Sequence, residues 1–381
     1  MNEKEVREIR RRFRPDKSMI GNVYGCYVNE ERKIVATFEE FLSSMPQEES
    51  ERFLSLLKKS LSGSLGKNLV NIEFSTKQVM DGDEHKLLSI LRQTGLKNSD
   101  LLQTFYQRVI EALKMESNYL ILLTHDVYSV PYRAKDDEIQ RDASDEEFSY
   151  ILCSICPVKQ TPAELSYRMA ENRFHTTSQG YVVSAPALGF MFPAFDDRAA
   201  NIYGALYYMK NAAENHQEFI DTVFHVEPPM PATAQKETFQ AILTETLNEE
   251  CSLTVVQAVH EHLSEMIDRH KENKEPEQLL LSQREIGAVL QECGVSAEHV
   301  EAFATAFDAH FGVDAQLPPA NVIDKKQFVI RTPDVVIKVD PERSDLIETR
   351  VIDGSRYLLI PADSGVEVNG VSVKIGVEND I

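Results

Sequence analysis

No stretch of this sequence approaches the roughly 18 consecutive apolar residues of a membrane helix. The opening residues, MNEKEVREIRRRFRPDKS, hold no apolar segment of the kind a secretory signal needs. Cysteine is scarce, and five in 381 residues do not make a disulfide framework. Positive charge is scarce as well: 40 Lys and Arg face 61 Asp and Glu, a formal net charge of −21. These shortages exclude a helical membrane span and a disulfide scaffold, and they set the expectation of a cytoplasmic protein with reduced thiols.

Signatures of chemistry are also missing. Gly66-Lys67 resembles the end of a phosphate loop, but only Ser64 and Leu65 separate Gly63 from Gly66, and Asn68 follows the lysine. A Gly/Ser connector into the strand LVNIEF fits better. The acidic stretch AKDDEIQRDASDEE lacks the glycine and ligand spacing of a calcium loop, so a solvated connector is expected. Cys153 and Cys156 have CxxC spacing but sit inside the apolar run SYILCSICPV, where residues i and i+3 point to opposite faces of a strand. His260 and His262 are two apart on a helix, whereas helical zinc pairs are four apart. Two structural cysteines, surface histidines, no metal and no cofactor are expected.

What is present is organisation. Hydrophobic residues at 42% and charged residues at 27% are ordinary for a globular chain, and the length exceeds one core. Three apolar runs, NYLILLTHDV, SYILCSICPV and GYVVSAPALGFMFPAF, predict neighbouring antiparallel strands. Before them, MIGNVYGCYV and KIVATF predict a hairpin, with Gly21 and Gly25 marking bulges or close backbone approach. Helices are expected over 4–14, 47–61, 84–95 and 98–116, and a long one after Pro193 through 224, capped by Asp196 or Asp197. Residues 233–312 read as helical throughout, and Ser282 with Glu285 as a capping box. After LPPAN the period becomes two, and Asp353-Gly354 and Asn369-Gly370 signal hairpins, so a β unit of about five strands is expected. The fold class is α+β: a central mostly antiparallel sheet with helices, a helical middle segment and a small C-terminal antiparallel β unit. The expected domains are 1–230, 231–316 and 320–381, with breaks at EPPMPA and LPPAN.

Charge is unevenly placed. Residues 1–70 hold 13 Lys and Arg against 11 Asp and Glu, a balance of +2, so the remainder carries −23. The densest basic cluster is Arg7, Arg10, Arg11, Arg12 and Arg14. At 3.6 residues per turn, Arg7, Arg11 and Arg14 share one helical face, which could follow a phosphate backbone. The plainer alternative is a solvated helix docked by Val6, Ile9 and Phe13. A second candidate site is His125 and Asp126, at the end of a central strand, with Asp196, Asp197 and Arg198.

The segments IGNVYGCYV, LSGSLGKNLVNIEF, YLILLTHDVYSVP, DASDEEFSYILCSICPV, LGFMFPAFDDR and PDVVIKVDPERSDLIETRVIDGSRYLLIP resemble, as a set, a family of full-length proteins of anaerobic Gram-positive bacteria, described only as a domain of unknown function. That resemblance spans nearly the whole chain and implies no activity and no catalytic residues. In the order of its parts alone, the chain is also similar to bacterial nucleoid-associated proteins, which implies chromosome association without residue-level transfer. The expected function is a binding or scaffold component. Its contact is an unidentified protein partner, or weakly nucleic acid through the N-terminal arm. An enzyme with a site near His125, Asp126 and Asp196 is the alternative. The sequence carries no signal of oligomeric state.

Overall fold

The computed structural model describes residues 1–133, 139–140, 146–176, 178–214, 216–227, 229–363 and 365–373. Most of the acidic connector expected as a solvated loop lies outside them. The chain divides into two compact units, the first Met1–Ala234 with Pro276–Gln278, the second Gln235–Glu275 with Leu279–Ile381.

Seven strands build the main path of the first unit's sheet. They are β1 (Asn22–Val28), β2 (Ile34–Phe41), β3 (Leu69–Glu73), β4 (Tyr119–Val130), β5 (Glu146–Thr161), β6 (Leu188–Phe192) and β7 (Gly204–Met209). Their order is β2-β1-β4-β5-β6-β7-β3, antiparallel at every step. Residues Gly180–Val183 add an eighth strand against the far end of β5. The three apolar runs therefore lie side by side, as expected, and β2 and β3 are the edges.

Alternation along the strands sends odd and even residues to different cores. Ile121 and Leu123 of β4, Ile151, Cys153 and Ile155 of β5, and Phe190 of β6 join one cluster. It is covered by α4 (Asp83–Gln93), α5 (Ser99–Ala112) and α6 (Gln217–Phe224). Leu120 and Leu122, Tyr150, Leu152 and Cys156, and Met191 join the other. It is covered by α1 (Glu3–Arg10) and α2 (Gln47–Lys59), while the short α3 (Thr76–Asp81) leads into α4. The sheet is buried on both faces, giving three layers. Cys153 and Cys156 are both buried and lie on opposite faces, and burial pushes the Cys156 thiol up to about 12.

Two close approaches depend on glycine. A Cβ on Gly189 would sit 2.4 Å from the Cys153 carbonyl oxygen and 2.7 Å from Ser60 Oγ. That gap lets the end of α2 reach the sheet, where the Ser60 and Ser154 hydroxyls pair at 2.7 Å in the interior. At Gly25 the Phe38 ring, from the paired residue of β2, occupies the space of a side chain. Gly21 has nothing within 4 Å, so close approach is no reason for glycine there.

The long helix expected after Pro193 is the main correction. Ala194–Asp196 and Ala199–Asn201 form a hairpin, and Gly204–Met209 is β7; among the described residues of that span only Gln217–Phe224 is helical. Every residue of GALYYM is buried, because β7 is covered on both faces. Such a strand loses its polar–apolar alternation and leaves only spacing that mimics a helix.

The second unit begins with α7 (Ala232–Leu247, from Gln235 onward) and continues with α8 (Leu253–Glu272), α9 (Gln283–Glu292) and α10 (Ala297–Phe311). Phe239, Ile242, Leu263, Ile286, Leu290, Phe303 and Phe307 form its core. The Ser282/Glu285 capping box is present, and Gly294 follows α9 at φ 89°. A short α11 (Pro319–Val322) precedes three separate hairpins, Phe328–Arg331 with Val336–Val339, Glu348–Ile352 with Ser355–Leu359, and Val366–Val368 with Val371–Val373. Asp353-Gly354 and Asn369-Gly370 turn the last two, all four residues at positive φ. Among the described residues the period-2 segment thus holds six strands in three pairs, where a unit of about five strands was expected.

Candidate functional site

The N-terminal helix is short and well anchored. Asn2 caps it, its Oδ1 accepting from the Lys4 and Glu5 amides at 3.0 and 3.1 Å, while Glu5 accepts from the Asn2 amide at 2.8 Å. Val6, Ile9 and Phe13 are buried against the sheet. The helix stops at Arg10, and the chain proceeds through turns in which the Arg12 amide donates to Ile9 O at 3.0 Å. Arg14 precedes Pro15, which disfavours helical geometry at that residue. Arg14 therefore does not share a helical face with Arg7 and Arg11, contrary to the spacing argument.

Arg12 leaves the basic cluster altogether. Its Nε donates to Asp126 Oδ2 at 3.0 Å and its Nη2 to Oδ1 at 3.3 Å. Tyr150, directly across the ladder from Asp126, donates its hydroxyl to Oδ2 at 2.9 Å, and the Val127 amide donates to Oδ1 at 2.9 Å. The guanidinium carbon of Arg12 stands 4.4 Å from the centre of the Tyr128 ring. Tyr128 donates to Glu8 at 2.7 Å, and Arg198 Nη1 donates to both Glu8 oxygens at 3.0 and 2.9 Å. Arg198 Nη2 also reaches Pro131 O at 2.9 Å. Burial and the neighbouring Glu8 push the Tyr128 hydroxyl up to about 12. Burial, reinforced by Asp126, holds the Tyr150 hydroxyl well above its ordinary range.

With four donors on a side chain only 1% exposed, the Asp126 carboxylate has little freedom to take a proton from a ligand. The arrangement is a latch. It fixes the N-terminal segment to the paired strands β4 and β5 at Arg12 and to the Ala194–Asn201 hairpin at Glu8.

His125 faces the opposite side of the sheet. Its Nε2 pairs with Ser149 Oγ at 2.9 Å. It borders an open hollow of about 290 Å³ with Asn22, Tyr24, Gly95 and Lys97, whose rim also includes Asp126 and Val127, although the Asp126 carboxylate is held by Arg12 and Tyr150. Burial lowers its pKa below 6.5; Asp126 opposes this, and Arg92 and Lys97 add to it. The imidazole is therefore held toward its neutral form, able to give or accept one hydrogen bond.

Asp197 and Arg198 are the two residues of a tight turn, at φ 48° and 61°, not a helix cap. Asp196 ends the strand before it, accepts from Asn201 Nδ2 at 3.2 Å and lies 3.5 Å from the Met1 amino group. Arg12, Asp126 and Arg198 thus join one network, Asp196 borders it through the turn, and His125 is on the other face. The sequence reading missed Glu8, Tyr128 and Tyr150. The signal was available, since Asp126 and Tyr128 are two apart on a strand and share a face. Among the described residues, no group of three or more His, Cys, Asp or Glu is arranged to hold a metal ion. No helix there is long and apolar enough to cross a membrane.

The model of one family, described as a domain of unknown function (DUF4317), matches residues 1–371. No curated protein matches the chain.

Proposed function

We propose, on the premise that this chain belongs to the DUF4317 family, that it is a cytoplasmic binding component whose latched N-terminal helix touches a polyanion, nucleic acid foremost. The observation that supports this is how docking sorts the charges of residues 3–17. Glu5 is buried and Glu8 is tied to Arg198 and Tyr128, whereas Lys4, Arg7, Arg11, Arg14 and Lys17 are exposed and Arg10 is half-buried. Only Glu3, paired with Arg7 at 2.7 Å, and Asp16 remain as exposed acids in that stretch. A segment with seven Lys and Arg against four Asp and Glu in sequence therefore offers a more strongly cationic surface than its composition alone implies. The acidic remainder repels the same polyanion, so binding is weak and falls steeply with salt.

The test is filter binding of duplex DNA and single-stranded RNA at two salt concentrations. The variant replaces Arg7, Arg10, Arg11 and Arg14 with alanine and keeps Arg12, because removing Arg12 opens the latch and confuses folding with binding. Wild type should bind in the micromolar range at low salt, and the variant should not. Equal binding by both removes the helix from the interaction. No binding by either favours a protein partner.

A second reading, a small-molecule or reaction site, is supported by the hollow beside His125. It predicts a ligand-induced shift of the His125 ring signals in an NMR titration with small metabolite-like compounds, and weaker binding by His125→Gln read from the amide signals of Gly95 and Lys97.

A further inference from the structure

The second unit encloses a pocket of about 220 Å³ that neither reading uses. Its walls are chiefly apolar: Phe239 and Leu243 from α7, Val256 and Val259 from α8, Val322 at the end of α11 and Phe328 beyond it. Residues 236, 239, 240, 243 and 247 of α7 recur at helical spacing and line it together, so one face of the helix forms one wall.

One lysine breaks the apolar lining. Lys236 lies on that wall near the start of α7, is half-buried, and its side chain has no carboxylate partner among the described residues. Lys325, by contrast, pairs with Asp268. The first turn of α7 carries no acidic residue, so the positive end of the helix dipole adds to the same potential. Two other polar groups of the pocket are engaged, while Gln240 and Gln327 also line it. His260 pairs through Nε2 with Asp324 O at 3.0 Å and packs edge-on against Phe328, and Asp324 Oδ1 accepts from the Lys326 amide at 2.9 Å. A partly desolvated ammonium without a counter-ion, set in an apolar wall, calls for an anion with an apolar body.

We propose that this pocket binds a small amphipathic carboxylate, its tail among Phe239, Leu243, Val259 and Phe328 and its head on Lys236. Tail burial supplies most of the affinity and the charge-assisted bond selects the head.

Titration calorimetry of the full chain with decanoate, decanol and decyltrimethylammonium tests it, each probe below its micelle concentration. Wild type should prefer decanoate. Lys236→Met should weaken decanoate by about tenfold and leave decanol unchanged, the loss of one charge-assisted bond. Val256→Trp, at the partly exposed mouth, should block decanoate and decanol alike with an unchanged circular dichroism spectrum. Equal affinity for all three probes, decanoate binding indifferent to both substitutions, or no heat from decanoate would overturn the proposal. The polyanion assay on α1 is independent of every one of these outcomes.

Discussion

The central sheet and the three C-terminal hairpins obey the same two-residue alternation, yet one is the best-buried part of the molecule and the others are largely exposed. In the sheet, Leu120 to Leu123 are all at least nine-tenths buried, because helices cover both faces. In the hairpins, Val351 is 69% exposed and Val371 64%, although the four valines 366, 368, 371 and 373 share one face. Alternation thus reports which way a side chain points. Whether anything covers that face depends on elements far away in the chain.

The largest expected effect separates these two regions. Phe190→Ala, in the middle of the sheet, should cost about 3–5 kcal/mol. Val351→Ala should change stability by about 0.5 kcal/mol or less. Urea unfolding followed by circular dichroism gives both values, and similar costs would break the contrast. Next comes the latch. Arg12→Ala leaves Asp126 buried without its cation and should cost on the order of 3 kcal/mol. Arg11→Ala, one residue away and exposed, should stay within about 0.5 kcal/mol in the same assay.

A smaller loss is expected where α2 meets the sheet. Gly189→Ala should cost about 1–3 kcal/mol by overpacking. Ser60→Ala should not rescue it, because the Cys153 carbonyl still obstructs the new methyl group. The smallest effect is in acid. His125 and His216, both in the sheet unit, have pKa values lowered by burial. Each therefore contributes stability that is present above pH 6.5 and lost as pH falls toward its folded value. His125→Gln should flatten the pH dependence of unfolding below 6.5, and an unchanged slope would show that the ring is not desolvated.

Much of this was legible in the sequence, for physical reasons that also explain the misses. The β1–β2 hairpin, the side-by-side central strands and the capped helices of the second unit carry local signals: β-rich runs, apolar stripes and caps. The rule that placed Cys153 and Cys156 on opposite faces also separates His125 from Asp126, since neighbours on a strand diverge. Their adjacency in sequence nonetheless made them look like one site. The strand GALYYM was misread because burial on both faces erases alternation. Arg12 could not be told from its neighbours, because its partner lies 114 residues away and nothing local marks it.

The edge strand β2 has a consequence for how copies of this protein behave in a crowded solution. Its outer rim presents unpaired backbone groups beside exposed Val35 and Phe41, an invitation to another strand. Glu39 and Glu40 are neighbours on that strand, so their carboxylates fall on its two opposite sides. A second copy adding its own β2 in a register that sets these residues opposite one another would bring like charges together. Neutralising both should therefore raise self-association, which light scattering at increasing concentration would read.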